Sequence, residues 1–252
     1  MNNAPLYVVG LGPGDARCLT PQARAALDRA QCIAGYQLYL DLTPPELLRG
    51  KTVISTGMRH EEERCAAAVD AALAGRPTAL VCSGDPGILA MAGLLFELRA
   101  REPEFADIPI RVLPGITAAN IAAASLGAPL QNGFSLVSLS DLLVPSDEVR
   151  QNLRAVAQSA LPVTLYNPAG RKRRHLLTEA LDIFREQRGG DVLCAYVRHA
   201  GRPQEAKWIG RLDDFPADEV DMSTLVIIGG PRTITDAGAM YEARGYVEKY
   251  ME

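Results

Sequence analysis

The sequence predicts an α/β protein of two domains, with a mostly parallel sheet in the first domain and a mixed sheet in the second. Short, β-branched apolar runs alternate with helical patterns along the chain, which is typical of βαβ units. These runs are nearly continuous in hydrophobicity, as expected for strands that are covered on both faces. The length of 252 residues, 48% of them hydrophobic, suffices for one large core or two modest ones.

The predicted strands fall into two series, with helical patterns between them. The first series is 6–10, 31–34, 52–55, 78–82 and 110–113, and the second is 134–139, 163–166, 192–198, 206–209 and 224–228. The helical patterns cover 21–30, 61–74, 87–101, 116–125, 147–159 and 171–187. The last strands are joined by too little chain for helical crossovers, so some of their pairing is expected to be antiparallel.

The stretch GAPLQNG, residues 127–133, is the best candidate for a domain boundary because it is rich in turn-forming residues. It divides the chain into an N-terminal α/β domain, 1–127, and a C-terminal α/β domain, 128–252. A ligand is then expected in a cleft between the two halves, near the carboxyl ends of strands.

The composition excludes several classes of protein. A formal net charge of -4 does not suggest a nucleic-acid or membrane-surface protein, so any basic site has to be local. No apolar run reaches the roughly 18 residues of a membrane span. The start, MNNAPLYVVG, lacks the features of a signal peptide. These features predict a soluble, cytoplasmic protein.

The cysteines and histidines give no sign of a disulfide framework or a metal site. The five cysteines are odd in number and include no C-x-x-C pair. The three histidines, His60, His175 and His199, are scattered along the chain. We therefore expect no metal.

The loop after the first strand, in LYVVGLGPGD at 6–15, contains three closely spaced glycines. Gly10 and Gly12 fit the dinucleotide fingerprint, but Gly14 comes one position too early and the next helix start is Thr20–Pro21. The lysine of a phosphate loop is absent. The loop is therefore either a plain glycine-rich turn or a wide loop facing a cleft.

Two further strand ends carry small residues and prolines, in LVCSGDPGI at 80–88 and VLPGITAAN at 112–120. Small residues allow close approach of the backbone, and proline fixes the shape of a loop before a ligand binds. Backbone N–H and C=O groups suit an adenine, a ribose and an amino-acid moiety. Three such turns at strand ends of one sheet indicate a binding site more strongly than one.

The three loop motifs, G-x-G-P-G-D, S-G-D-P and P-G-[IV]-[TS]-A, resemble those of the tetrapyrrole (corrin and porphyrin) methylase family. The segments TLYNPAG at 164–170, RHAGRPQE at 198–205 and STLVIIGGP at 223–231 resemble its later segments, so the resemblance covers nearly the whole chain. It implies the two-domain tetrapyrrole methylase fold. It also implies S-adenosylmethionine between the domains as the methyl donor, with S-adenosylhomocysteine as the product.

Three more stretches resemble the precorrin-3B C(17)-methyltransferase branch of the family: AGYQLYLDL at 34–42, TGMRHEEERC at 56–65 and VSLSDLLVP at 137–145. This implies a homodimer that methylates C-17 of precorrin-3B and contracts the ring to precorrin-4 in cobalamin biosynthesis. A counterpart that acts on cobalt-precorrin-3 stays open, as do a non-catalytic tetrapyrrole carrier and a nicotinamide dehydrogenase. Ala169, Gly170 and His199 depart from the expected pattern.

The resemblance places cofactor contacts on both halves of the chain. They fall on Pro13, Gly84, Asp85, Ile88, Thr117, Ala118, Tyr166, Asn167, Ala200 and Thr224. Ring contraction implies proton transfer, which a general acid or base could assist, and the candidates are Asp85, His199, Asp15 and Ser140. Asp85 could instead cap the helix predicted from residue 87, Asp15 could stabilise a turn, and His199 could serve as hydrogen-bonded support.

A macrocycle with many carboxylates calls for cationic and aromatic partners. The substrate-binding candidates are Gly12, Tyr36, Tyr39, Asp141, Arg171 and Arg198. Arg171 belongs to the cluster GRKRRH, which could equally be solvated, and Asp141 could simply cap a helix. Arg59, His60 and Arg64 could bind anionic groups in the same way, but the sequence favours a solvated helix face for them.

Overall fold

A parallel sheet organises the first part of the chain. The computed structural model describes residues 4–170 and 174–250. Its first compact unit, Met1–Ala118, contains the strands β1 (Leu6–Gly10), β2 (Cys32–Tyr36), β3 (Thr52–Thr56), β4 (Thr78–Cys82) and β5 (Ile110–Leu113). They pair in parallel in the order β3-β2-β4-β1-β5. Since β1 lies between β4 and β5, the loops after these three strands leave one edge of the sheet side by side.

Helices cover both faces of this sheet. They are α1 (Pro21–Arg29), α2 (Gln37–Asp41), α3 (Pro45–Leu48), α4 (Glu61–Leu73) and α5 (Ala92–Arg101). Alternate residues of β1 face opposite layers: Leu6 and Val8 pack in a core with α4 and α5, whereas Tyr7 and Val9 pack in a core with α1. The predicted start of α1 is confirmed, because Thr20 Oγ1 accepts a hydrogen bond from Ala23 N and Pro21 is the first helical residue.

The prediction of strands covered on both faces holds only for the middle of the sheet. Strands β1 and β4 are buried along their whole length. The outer strands β3 and β5 include exposed residues, among them Val53 and Val112. An apolar sequence therefore does not distinguish a central strand from an edge strand here.

The second compact unit, Ala119–Glu252, contains a mixed sheet. Its elements are α6 (Ala118–Leu126), β6 (Gly127–Ala128), β7 (Ser135–Ser138), α7 (Ser146–Ala157), β8 (Val163–Tyr166), α8 (His175–Arg188), β9 (Leu193–Arg198), β10 (Ala206–Arg211), β11 (Thr224–Ile228), β12 (Thr233–Asp236), β13 (Ala239–Glu242) and α9 (Tyr246–Tyr250). The main sheet has the order β10-β9-β11-β8-β7. Only β7 and β8 pair in parallel, so the expected antiparallel pairing of the last strands is confirmed.

Every strand expected from the sequence is present, and the differences concern short or irregular segments. The pattern at 87–101 does not start a helix at Gly87: α5 begins at Ala92, and the backbone at Leu89 has a φ of 51°. Strands β6, β12 and β13 form a small separate sheet that was not expected. Strand β6 pairs with β13. The compact units divide after Ala118, the first residue of α6, whereas the proposed domain boundary at 127–128 follows this helix. Among the described residues, no helix is long and apolar enough to cross a membrane.

Burial sets the reactivity of the cysteines, which are all free. Desolvation raises the pKa of the Cys82 thiol to about 11 and the pKa values of Cys65 and Cys194 to about 12. The buried Cys32 is shifted in the same direction, and Cys18 is partly exposed. Only the thiolate form of cysteine is nucleophilic.

We therefore expect one thiol of the folded protein to react quickly with an aromatic disulfide reagent at pH 8. The other four should react only after unfolding in urea, since their thiolates are disfavoured by burial. Absorbance of the released thiolate measures both phases. Cys18→Ser should remove the fast phase, and a fast phase that persists in this variant would contradict the assignment.

Candidate active site

Three loops of the first unit meet at the carboxyl edge of its sheet, and we call them the loop cluster: 11–15 after β1, 83–87 after β4 and 114–117 after β5. Gly12 N donates to Gly84 O at 3.1 Å, and Gly84 N donates to Gly12 O at 2.8 Å. Both glycines have positive φ values, 63° and 68°. The first two loops are therefore joined through two glycines whose backbone conformation, with positive φ, is rarely adopted by other residues.

The glycines at the strand ends allow the backbones of the three loops to touch one another. A Cβ on Gly115 would lie 2.1 Å from Gly84 O and 2.8 Å from Gly10 Cα. A Cβ on Gly10 would lie 2.6 Å from Gly115 N. The sequence predicted that the backbone at these glycines comes close to another group. At Gly10 and Gly115 that group is the backbone of a neighbouring loop.

Asp85 holds two of these loops together. Its Oδ1 accepts a hydrogen bond from Gly87 N at 2.8 Å, and its Oδ2 accepts one from Gly115 N at 3.1 Å. The alternative of a cap on a helix from Gly87 is wrong, because no helix begins there. Instead, Oδ1 closes a turn within the loop 83–87, and Oδ2 connects this loop to the loop 114–117.

Asp15 is engaged within its own loop. Its carboxylate accepts hydrogen bonds from the Arg17 backbone N at 2.8 Å and from Arg17 Nη2 at 2.7 Å. These bonds to Arg17 lower the pKa of Asp15 to about 2. An ionised carboxylate that caps the turn Ala16–Cys18 favours the turn-stabilising interpretation over a proton-transfer role.

The two candidate tyrosines lie at the same edge of the sheet, where β2 ends. The rings of Tyr36 and Tyr39 meet edge to face, with centroids 5.4 Å apart. The Arg64 guanidinium lies over the Tyr36 ring. Arg64 is buried, so its assignment to a solvated helix face is wrong, whereas Arg59 and His60 are exposed as expected.

Most of the remaining candidate residues lie at one edge of the main sheet of the second unit, where several strands end. Strands β8 and β9 are both antiparallel to β11, and β7 is parallel to β8, so β7, β8 and β9 end on the same side. Residues following these strands, together with the start of β11, make up what we call the β7–β9 edge. It includes Ser140, Asp141, Asn167, Arg198, His199, Ala200 and Thr224.

The hydroxyl of Ser138 connects two loops of the β7–β9 edge. It accepts a hydrogen bond from Asn167 Nδ2 at 3.0 Å and from Ser140 N at 3.3 Å. Asn167 has a φ of 54°, an uncommon backbone conformation for a residue with a side chain. Ser140 joins this network through its backbone N, so the geometry assigns its hydroxyl no proton-transfer role.

Other candidates at this edge already have partners. Tyr166 Oη accepts a hydrogen bond from Ala119 N at 2.8 Å, in the first turn of α6. Thr224 Oγ1 donates to Asp221 Oδ1 at 2.9 Å, and Arg198 Nη1 lies 3.4 Å from Glu219 O. These bonds hold the three side chains in place, with Thr224 buried and Tyr166 and Arg198 partly exposed.

His199 and His175 are the two histidines of this edge. His199 has a φ of 51°, and its backbone N donates to Ser223 O at 2.9 Å. His175, at the start of α8, lies 3.7 Å from Asp141 Oδ2 through its Nε2. The sequence did not predict this acid–histidine pair, although both members lie in motifs that had been singled out. Arg171 lies outside the described residues.

The candidate residues thus form two separate groups, one in each unit. Gly12, Pro13, Gly84, Asp85 and Thr117 belong to the loop cluster, and Ile88 is exposed just beyond it. Ala118 begins α6. Among the described residues, no group of three or more histidine, cysteine, aspartate or glutamate side chains is arranged to hold a metal ion.

Comparison with known proteins identifies the class that this fold and these loops define. The sequence model of the family described as Tetrapyrrole (Corrin/Porphyrin) Methylases matches residues 5–216. The chain therefore belongs to the tetrapyrrole methylases and is a methyltransferase.

Individual relatives match along nearly their whole length. A probable cobalt-factor III C(17)-methyltransferase of Salmonella typhimurium is 39% identical over 96% of this chain and 99% of its own. A precorrin-3B C(17)-methyltransferase of a Sinorhizobium species is 37% identical over 90% and 89%. The crystal structure of the methyltransferase CobJ matches with a TM-score of 0.91 and 37% identity, over 95% of this chain and all of that one. The expected fold is therefore confirmed.

Proposed function

We propose that this protein transfers a methyl group from S-adenosylmethionine to C-17 of precorrin-3B and promotes ring contraction to precorrin-4. The observation that carries the proposal is the similarity, along nearly whole chains, to proteins named for C-17 methylation. The identity with the Salmonella relative favours cobalt-factor III as a second candidate substrate. Both candidates belong to cobalamin biosynthesis and require methylation at the same ring carbon.

The residues of the two groups fit a methyl donor of this kind. The donor supplies a methyl carbon already activated on a sulfonium, and the electron pair of the broken bond stays on sulfur. The loop cluster offers backbone groups and the Thr117 side chain for the polar adenosyl and amino-acid portions. Asn167 and Thr224 add neutral polar groups at the β7–β9 edge. Since the chemistry needs alignment and exclusion of water, rigid loops are a fitting support.

Two side chains are proposed to move protons during ring contraction. His199 follows β9 at the β7–β9 edge, and among the described residues its imidazole has no hydrogen-bonded partner. The pair of His175 and Asp141 lies at the same edge and supplies a second acid–base unit. We propose His199 and His175 as the acid and base, with Asp141 orienting the His175 ring and Arg198 orienting the substrate.

Asp85 is proposed to act through the loops rather than on a proton. In Asp85→Asn the amide oxygen can still accept one backbone N–H, but the amide nitrogen faces the other donor. We expect the KM for S-adenosylmethionine to rise about tenfold, with kcat nearly unchanged, since one charge-assisted bond is lost. A kcat that falls with the KM unchanged would instead make Asp85 a catalytic acid or base.

The function is tested by incubating the protein with S-adenosylmethionine and either precorrin-3B or cobalt-factor III. We expect one methyl group on the macrocycle, by mass, for each S-adenosylhomocysteine released, and ring contraction by the change in the absorption spectrum. Turnover of the cobalt substrate alone would select the second candidate. Binding of a tetrapyrrole without any S-adenosylhomocysteine would make the protein a carrier.

The same preparation tests the remaining alternatives. A nicotinamide dehydrogenase would bind NAD in calorimetry, but we expect heat only from S-adenosylhomocysteine. Strand β1 ends at Gly10 and α1 begins at Pro21, so the first loop does not lead directly into a helix that could hold a diphosphate. We also propose a cytoplasmic homodimer, which sedimentation equilibrium and cell fractionation would test.

A further inference from the structure

The segment TGMRHEEERC contains an arginine for which the proposed site gives no role. Arg64 lies on α4 with 2% of its surface exposed. Among the described residues no carboxylate contacts it, and all its partners are neutral. Burying a guanidinium without an opposite charge is unfavourable unless its N–H groups are hydrogen-bonded. The groups that surround the Arg64 guanidinium therefore indicate its function.

The guanidinium joins three segments at the carboxyl edge of the first sheet. Arg64 Nε donates to Thr56 Oγ1 at 2.7 Å, where β3 ends, and Nη2 donates to Gly57 O at 2.8 Å. Nη1 lies 3.8 Å from Met91 Sδ, immediately before α5. The planar fork of arginine makes these contacts in different directions at once, which a lysine ammonium cannot do.

The same group orients the aromatic pair at the end of β2. Arg64 Cζ lies 5.8 Å from the centroid of the Tyr36 ring, within the range of a cation–π interaction. The Tyr36 ring meets that of Tyr39 at an interplanar angle of 84°. An attraction to the ring face holds Tyr36 in one orientation, and the edge-to-face contact then restricts Tyr39.

We propose that Arg64 is a positioning residue for tetrapyrrole binding. Its guanidinium holds the rings of Tyr36 and Tyr39 and the turn at Gly57 in the single arrangement that receives the macrocycle. This inference rests on the proposed function for its substrate, but the ordering of the two rings can be measured without one.

The kinetic test uses Arg64→Met, which removes the charge and the donors while keeping much of the volume. We expect the KM for the tetrapyrrole to rise about tenfold, with kcat and the Kd for S-adenosylhomocysteine unchanged. Tyr36→Leu should have a similar effect, and the double variant should be no worse than either single one, because both remove one coupled unit. The matched control is Arg99→Met, since Arg99 stacks on the exposed Phe96 at 5.0 Å and should change nothing.

The structural test uses protein labelled with 3-fluorotyrosine and observed by fluorine NMR without substrate. The Tyr36 resonance, assigned by its loss in Tyr36→Phe, should shift and broaden in Arg64→Met. Arg64→Lys keeps the charge over the ring, so its Tyr36 resonance should lie between those of the wild type and Arg64→Met. This variant preserves the test if the methionine variant does not fold.

The outcomes separate this proposal from the proposed function. Unchanged tyrosine resonances, or effects of Arg64→Met and Tyr36→Leu on the KM that simply multiply, would overturn the positioning role. An equal loss of affinity for S-adenosylhomocysteine would also overturn it, because it would indicate general damage to the unit. Shifted resonances in a protein that methylates no tetrapyrrole would leave the ordering of the rings in place and refute the proposed function.

Discussion

Replacing Gly115 by alanine is expected to lower the free energy of unfolding by about 3 kcal/mol and to abolish binding of S-adenosylhomocysteine. The added Cβ would lie 2.1 Å from Gly84 O and 2.8 Å from Gly10 Cα. Neither neighbour is a flexible side chain, so the backbones of the three loops must separate. Asp85 would lose its bond to Gly115 N in the same movement. Urea unfolding measures the stability, and calorimetry measures the binding.

The matched control for this variant is Gly93→Ala in the same unit. Gly93 is exposed in the first turn of α5, and its added Cβ would meet no atom within 4 Å. Alanine there should stabilise the helix by roughly 0.5–1 kcal/mol and leave binding unchanged. If Gly115→Ala unfolds at the wild-type urea concentration and still binds, the three loops are not in the contact described.

The sequence predicted the three glycine-containing loops but not the way in which they meet. Each motif follows an apolar run, so its position at a strand end could be inferred locally. The order β4-β1-β5 depends on pairing between segments far apart in the chain, which no local pattern contains. For the same reason the glycines suggested an approach to a ligand, whereas Gly10 and Gly115 approach each other.

Irregular backbone explains the misplaced start of α5. The apolar residues Ile88 and Leu89 continue a helical periodicity, so the sequence favoured a helix from Gly87. In the structure Leu89 has a positive φ, and Gly87 N is bonded to the Asp85 side chain. A side-chain bond to the backbone competes with the first helical turn, and periodicity alone does not reveal such competition.

Charged residues were the least predictable part of both units. A single arginine in a helix is usually solvated, so the sequence indicated neither the burial of Arg64 nor the backbone hydrogen bonds of the partly buried Arg188. The pairing of Asp141 with His175 likewise joins two motifs that the sequence treats separately. Burial of a charge is decided by the elements that pack over it, and these become visible only in the folded chain.

Arg188→Met is expected to lower the free energy of unfolding by about 3 kcal/mol, since hydrogen bonds to a charged donor are among the strongest in proteins. The side chain ends α8 and stacks on Phe184, with its Cζ 4.8 Å from the ring centroid. Its guanidinium donates to five backbone carbonyls at 2.7–3.0 Å: those of Val156, Ala157, Ser159, Leu161 and Gly229. Methionine keeps the stacking surface and removes every donor.

These carbonyls belong to the last turn of α7, the connection to β8 and the residue after β11. The last carbonyls of a helix have no partner within it, and the guanidinium supplies donors to them, although Val156 O also accepts hydrogen bonds from Ser159 N and Oγ. Arg188→Lys, which keeps the charge but reaches fewer acceptors, should lose part of the same free energy. Urea unfolding monitored by the fluorescence of Trp208, which lies in the second unit, measures both variants.

Arg154→Met provides the matched control, since Arg154 is exposed on α7 and its guanidinium makes no hydrogen bond among the described residues. Its effect should stay within about 0.5 kcal/mol. Equal effects of Arg188→Met and Arg154→Met would mean that loss of positive charge, and not loss of the five bonds, determines the stability. If the guanidinium connects α7, α8 and β11 by hydrogen bonds, Arg188→Met should lower the free energy of unfolding more than Arg154→Met does. Arg188→Lys should then have an effect between those of these two variants.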